Sequence, residues 1–179
     1  MRLRDRDEIS GLEIGSIHFD FMKLYFMRHA DALDGMADDI RPLSPRGKKE
    51  SRKLAEFLKH AGIQFDAAYS SPLLRTQQTA DIILKTCNGS DAGPADIVDE
   101  LRNETSQNAF DRWLIHLPEA RHCLLVGHAP TLAEWAGRLI GLKRSDALNL
   151  EKAGLVCLET FNRCDATLRF YISPVLFGE

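Results

Sequence analysis

Short, wholly apolar runs alternate along this chain with longer stretches in which apolar residues recur at helical spacing. The run "KLYFM" (23–27) reads as a buried strand. "SPRGKKESRKLAEFLKHAG" follows as a helix, with Ser44 as N-cap, Pro45 in the first turn and Gly62 at the exit. "FDAAYSS" (65–71) is a second strand, and Ser71-Pro72 repeats the cap-plus-proline signal before a helix through "LLRTQQTADIILKT". "ADIVD" (95–99) is a brief third strand, and "NAFDRWLIHL" places Phe110, Trp113, Leu114 and Leu117 on one helical face.

The strongest strand signal is "HCLLVGH" (122–128). The helix after it carries Leu132, Trp135, Ala136, Leu139 and Ile140 as a core-facing stripe, with Thr131 and Glu134 read as a capping box. "GLVCLET" and "TLRFYIS", joined by "FNRCDA", complete the pattern as a hairpin at a sheet edge. Strands alternating with helices predict an α/β layered fold around a mixed sheet, whose ligands bind beyond the carboxyl ends of the parallel strands. Arg28-His29, Ser70-Ser71 and Gly127-His128 all fall at such ends.

Composition narrows the classes without choosing among them. The chain has 179 residues, enough for one domain with a substantial core, and 44% of them are hydrophobic. A net charge of −3 argues against a nucleic-acid partner, and no apolar stretch is long enough to span a bilayer. The four cysteines (Cys87, Cys123, Cys157, Cys164) form no C-x-x-C pair and lie mostly in apolar segments, so reduced thiols and a cytoplasmic setting are expected. Residues 1–21 mix Arg with Asp and Glu and read as an N-terminal extension rather than a secretory signal, with Met22 a compact start to a single domain over 22–179.

Taken singly, the polar residues at the strand ends have bland readings. Arg28-His29 alone is a common dipeptide, His128 a packed histidine, Arg75 a helix surface charge and Arg41 a loop charge. Their convergence at one sheet edge weakens those readings together. The blocks "MRHAD", "DDIRPLSPRG", "SSPLLRTQQTA" and "LLVGHAPTL" jointly resemble the histidine phosphatase superfamily, above all its small bacterial SixA-type branch, over roughly residues 22–172.

The resemblance implies a three-layer α/β/α sandwich with a central mixed, mostly parallel sheet, like that of phosphoglycerate mutase. It implies His29 as a nucleophile that becomes phosphorylated, Arg28, Arg75 and His128 around the phosphoryl group, and Arg41 as a further phosphate-binding arginine. These residue types suit phosphoryl transfer, where alignment and charge stabilisation do most of the work and an arginine fork holds two oxygens at once. Neighbouring cations are expected to keep the His29 imidazole neutral. No metal or other cofactor is required by this scheme.

Many members of the superfamily protonate the leaving oxygen with a glutamate, and "DELRNETSQNAF" (99–110) has no clear match to that motif. Glu104 and Asp38 are weak candidates for the acid, and the lack of a clear one favours P–N over P–O cleavage. The expectation is therefore a metal-independent protein phosphohistidine phosphatase, monomeric, with no membrane partner. Its substrate would be a phosphotransfer domain of a bacterial two-component relay or a phosphocarrier. A phosphatase of small phosphomonoesters and a non-catalytic phosphohistidine-binding module are the alternatives. Asp31, Asp34, Asp38 and Asp39 read as a solvated loop rather than a metal site. The basic run Arg46, Lys48, Lys49, Arg52, Lys53 reads as the wet face of a helix that can dock an acidic protein.

Overall fold

A computed structural model describes residues 21–177, so the extension at 1–21 falls almost wholly outside the described residues. Six strands form one sheet in the order β3-β2-β4-β1-β5-β6. They are β1 (Met22–Arg28), β2 (Ala67–Ser70), β3 (Asp96–Ile97), β4 (His122–Gly127), β5 (Leu155–Thr160) and β6 (Thr167–Ile172). β1, β2, β3 and β4 run parallel, while β5 lies antiparallel to β1 and β6 antiparallel to β5. The sheet is thus mixed and mostly parallel, as expected, with the hairpin at one edge.

The helices α1 (Pro45–His60), α2 (Leu74–Cys87), α3 (Gln107–Ile115) and α4 (Thr131–Leu139) cover both faces of the sheet. Tyr25 and Met27 of β1 pack with Leu54 and Leu58 of α1 and Ile83 of α2. Leu24 and Phe26 point the other way, into Phe110 and Leu114 of α3 and Trp135 and Leu139 of α4. A strand buried on both faces has no polar side, which is why β1 and β4 read as unbroken apolar runs. The result is the three-layer sandwich.

Two helix starts differ from the expectation. Ser44 does cap α1, its hydroxyl accepting from Gly47 N at 3.0 Å. Ser71, however, does not cap α2; Leu73 does, without a side-chain bond, because the Ser71 hydroxyl is engaged elsewhere. Pro130 occupies the cap position of α4, so Thr131 is its first residue and its hydroxyl bonds Asn103 O at 2.8 Å instead of making a capping box. At the exit of α1, Gly62 takes φ +72°, and the bonds Gly62 N to Lys59 O and Ile63 N to Leu58 O close the turn. Cys87, Cys123 and Cys157 are buried free thiols, whereas Cys164 is exposed.

Candidate active site

Strand register creates the site. β1 and β4 are parallel with Arg28 opposite Gly127, so the next residue of each, His29 and His128, leaves the sheet at the same level. His29 N still bonds Gly127 O at 3.0 Å, and the two imidazole rings lie 5.1 Å apart between centroids. On the other side of β4, Ser70 pairs with Val126, which brings Ser71 level with Gly127. Its hydroxyl meets His128 Nε2 at 2.7 Å.

The loop leaving β1 is clamped on both sides. Ala30 N donates to Thr79 Oγ1 of α2 at 3.2 Å, and that hydroxyl donates to Arg75 O. Asp31 O accepts from Ser44 N at 2.9 Å, while the Asp31 carboxylate accepts from the Ser44 hydroxyl and from Lys152 at 2.7 Å each. Gly47 is required here, since a Cβ would stand 2.1 Å from the Asp31 carbonyl oxygen. Asp31 is thus a structural anchor with Lys152 and Ser44 for partners, not the solvated loop residue expected. Hydrogen bonds to Lys152 hold its carboxyl below the usual carboxylate range, with Ser44 adding to the effect.

His29 Nδ1 lies 2.8 Å from Ala30 O. A carbonyl only accepts, so Nδ1 carries the proton and Nε2 keeps its lone pair. Arg75 Nε donates toward that Nε2 at 3.3 Å. Burial pushes the His29 pKa down to about 3, with His128, Arg75 and Arg28 pushing the same way and the Ala30 carbonyl opposing. His128 is lowered to about 4, again chiefly by burial, then by Arg75, with Arg28 and Arg102 contributing. The neutral imidazole expected from nearby cations thus has burial as its main cause, with the cations second.

The arginines are not placed alike. Arg75 is 7% exposed; its Nε faces His29, while its two terminal nitrogens bond Asp38 O at 2.7 Å and Asp38 Oδ2 at 3.0 Å. Arg28 donates to Leu150 O at 3.1 Å, but its buried Nε has no partner among the described residues. Arg41 is not brought against His29. Its three nitrogens bond Leu33 O at 2.7 Å, Asp38 Oδ1 at 3.2 Å and Asp34 Oδ1 at 2.6 Å, all within its own loop.

Neither weak candidate for an acid is placed as one. Hydrogen bonds from Arg75, followed by its charge and that of Arg41, hold the Asp38 carboxyl below its ordinary range, so it stands ionised. Glu104 is 72% exposed and pairs with Arg102 at 3.7 Å. Among the described residues no three His, Cys, Asp or Glu side chains are grouped to hold a metal ion, and no helix is long and apolar enough to cross a membrane. Ser71, which the sequence placed at a strand end without giving it a role, is brought onto His128.

The arrangement is a buried imidazole with a bare nitrogen, beside donors and cations, chemistry suited to accepting a phosphoryl group. Comparison with known proteins bears on family and fold. The histidine phosphatase superfamily (branch 1) matches residues 24–106, which include His29, Arg41 and Arg75. An uncharacterized protein of Picosynechococcus sp. is 36% identical over 146 residues, 78% of this chain and 86% of that one. Phosphohistidine phosphatase SixA of Escherichia coli is 41% identical over 61 residues, 34% of this chain and 38% of its own length. The solved protein histidine phosphatase SixA complexed with tungstate superposes with a TM-score of 0.76 at 24% identity, covering 87% of this chain and 99% of that one.

Proposed function

Because the chain belongs to the histidine phosphatase superfamily, in its SixA-type branch, we propose that it removes the phosphoryl group from a phosphohistidine carried by another protein. Phosphatase chemistry itself is what the family and the SixA-like fold support. The observation that carries the finer reading is a pairing of features around His29. Its Nε2 lone pair sits among Arg75, Arg28 and His128, while Asp38 is held ionised and Glu104 is solvated.

His29 Nε2 attacks phosphorus as the P–N bond of the substrate breaks, its electron pair returning to the substrate imidazole. With its other ring nitrogen already protonated from solvent, that imidazole leaves neutral and needs no proton from the enzyme, whereas an alkoxide would. Arg28 and Arg75 neutralise the equatorial oxygens during transfer, and His128 donates to one of them. Water then attacks phospho-His29, releasing phosphate and restoring the imidazole. Covalent catalysis splits the reaction into two displacements, and neither calls for a metal.

The partner is received on the basic side of the site. A groove of about 840 Å³ begins at Arg28 and is lined by Arg46, Lys49, Lys53 and Lys152, with Val175 and Phe177 as apolar contacts. Cations outnumber the acids Asp31, Glu50 and Glu151 there, although the whole chain is acidic. This excess suits an acidic phosphotransfer domain or phosphocarrier.

The test uses purified protein in EDTA with two substrates, a phosphohistidine-bearing phosphotransfer domain and an alkyl phosphomonoester such as glycerol phosphate. Faster turnover of the phosphoprotein, with an acid-labile phosphate trapped on His29, is the expected result. An equal or greater rate on the ester would transfer the assignment to a small-molecule phosphomonoesterase. Phosphoprotein bound but never turned over would make the chain a binding module.

A further inference from the structure

Asp38 occupies a singular position. One carboxylate oxygen accepts from Arg75 at 3.0 Å and the other from Arg41 at 3.2 Å, so a single anionic group bridges the two arginines. Both are residues to which the family resemblance gives phosphate, and in this structure both forks are turned onto Asp38 or its loop. A carboxylate and a phosphoryl group present the same feature to a guanidinium, two oxygens on one anionic centre.

The segment carrying Asp38 is built to let go. Asp38–Ile40 is a single 3-10 turn with no side-chain cap, and its neighbours Met36 and Ile40 are 52% and 59% exposed instead of packed. The base is closed by the Ala32–Leu43 bridge and by Leu33 N on Pro42 O at 2.9 Å, which leaves 34–41 as a flap. Its contacts with α2 include the two Arg75 bonds to Asp38. The Asp38 side chain is 60% exposed, so water takes over its solvation once Arg75 releases it.

We propose that Asp38 is an internal substitute for the phosphoryl group: it occupies Arg75 and Arg41 in the resting enzyme, and an incoming phosphoryl group displaces it, freeing the flap and returning Arg41 to the site. This rests on the reading of Arg75 as a phosphoryl-binding arginine. Displacement makes Asp38 a filter against weak anions. Free phosphate must compete with a tethered carboxylate, whereas a phosphoprotein brings further contacts from the basic groove.

The experiment is titration of inorganic phosphate into the full chain, followed by calorimetry and by amide exchange. Asp38→Asn keeps the shape and removes the charge, so phosphate affinity should rise about tenfold, with KM for a phosphohistidine substrate falling by a similar factor and kcat changing less. Asp34→Asn touches Arg41 alone and should leave phosphate affinity within about twofold of the parent. Adding Arg75→Ala to Asp38→Asn should remove the gain. In the parent, phosphate should speed exchange at 34–40.

Unchanged, weaker or undetectable phosphate binding by Asp38→Asn would overturn the proposal, as would slower exchange at 34–40 in the parent. Phosphate binding needs no turnover. If Asp38→Asn gains affinity while the parent fails to dephosphorylate phosphohistidine, the substrate assignment falls and the displacement stands.

Discussion

At the amino ends of the parallel strands, His122 opens β4 with Nδ1 bonded to the Tyr25 hydroxyl at 2.7 Å. Beside it, Asp66 accepts the main-chain N–H groups of Arg121 and His122 at 2.9 Å each, and the Asn88 side chain bonds both N and O of Phe65. The carboxyl ends use similar residue types, but there, among the described residues, Arg28 Nε has no partner and the lone pair of His29 faces the Arg75 guanidinium. Both His29 and His122 have pKa values lowered first by burial and then by neighbouring charge. Burial and a shifted pKa therefore do not by themselves mark a reactive histidine. What separates the ends is closure: one set of polar groups finishes its hydrogen bonds within the fold, and the other leaves bonds for a ligand to complete.

Substitution at the two ends should break along that line. His29→Ala should lower kcat/KM on the phosphohistidine substrate by about ten-thousandfold or more and abolish the trapped adduct. Arg75→Ala should cost on the order of a thousandfold, since it removes transition-state charge stabilisation. His122→Ala should leave turnover near that of the parent while reducing stability by about 1–3 kcal/mol, because the Tyr25 hydroxyl loses its bond to the His122 ring. Turnover assays alongside urea denaturation would separate the cases, and a thousandfold kinetic loss in His122→Ala would erase the contrast.

Acid should sharpen it. The folded-state pKa values of His29 and His128 lie near 3 and 4, below the ordinary imidazole value of about 6.5 in the unfolded chain. Between those limits the unfolded state binds more protons, so stability falls as pH drops from about 6.5 toward 4, by on the order of several kcal/mol for the pair. The depressed carboxyls of Asp31 and Asp38 add a further loss at lower pH. In urea melts from pH 7 to 4.5, His128→Gln should show a shallower slope than the parent, by close to one proton. The acid limb of kcat/KM set by His29 should lie below about pH 5; a limb at 6.5 would mean that the imidazole is wetter than its surroundings imply.

Much of this was legible in advance. Two-sided burial writes itself as an apolar run, so β1 and β4 were plain, and the residues just past a strand end inherit their neighbours from register. Arg28, His29, Ser71 and His128 needed nothing more than that. What escaped were contacts made by side chains reaching across the fold. The Thr131 hydroxyl went to Asn103, Asp31 to Lys152, and Arg41 to carboxylates of its own loop. β3 shrank to two residues, because ladder length depends on a partner strand and not on local pattern. The burial of the two histidines was also hidden, since burial is a property of the packed whole.

Ser71 joins the two ways of using polar groups, being fully buried and yet bonded to His128. Its hydroxyl also lies 3.1 Å from Thr76 Oγ1, so the ring of His128 is tethered to the first turn of α2. Ser71→Ala should lower kcat about tenfold, the equivalent of one lost hydrogen bond, with KM little changed. Ser71→Thr, which retains the hydroxyl, should recover part of the rate. A fall in stability with unaltered kcat would place Ser71 with Asp66 and Asn88 as a fold-closing group.

The smallest effect is expected where charge is most exposed. Lys49 and Arg52 stand on the outer face of α1, both exposed, and make no ion pair among the described residues. Such charges act through encounter rate more than through residence, and salt screens them within about 10 Å at 0.1 M. Lys49→Glu with Arg52→Glu should lower kcat/KM on an acidic phosphotransfer domain by roughly fivefold at low salt, with the difference vanishing near 0.5 M salt. Turnover of free phosphohistidine should be unaffected, because a small substrate does not reach the outer face of α1. If both substrates slowed equally, the substitutions would be acting on the site itself, and the basic face would be no more than the solvated side of a helix.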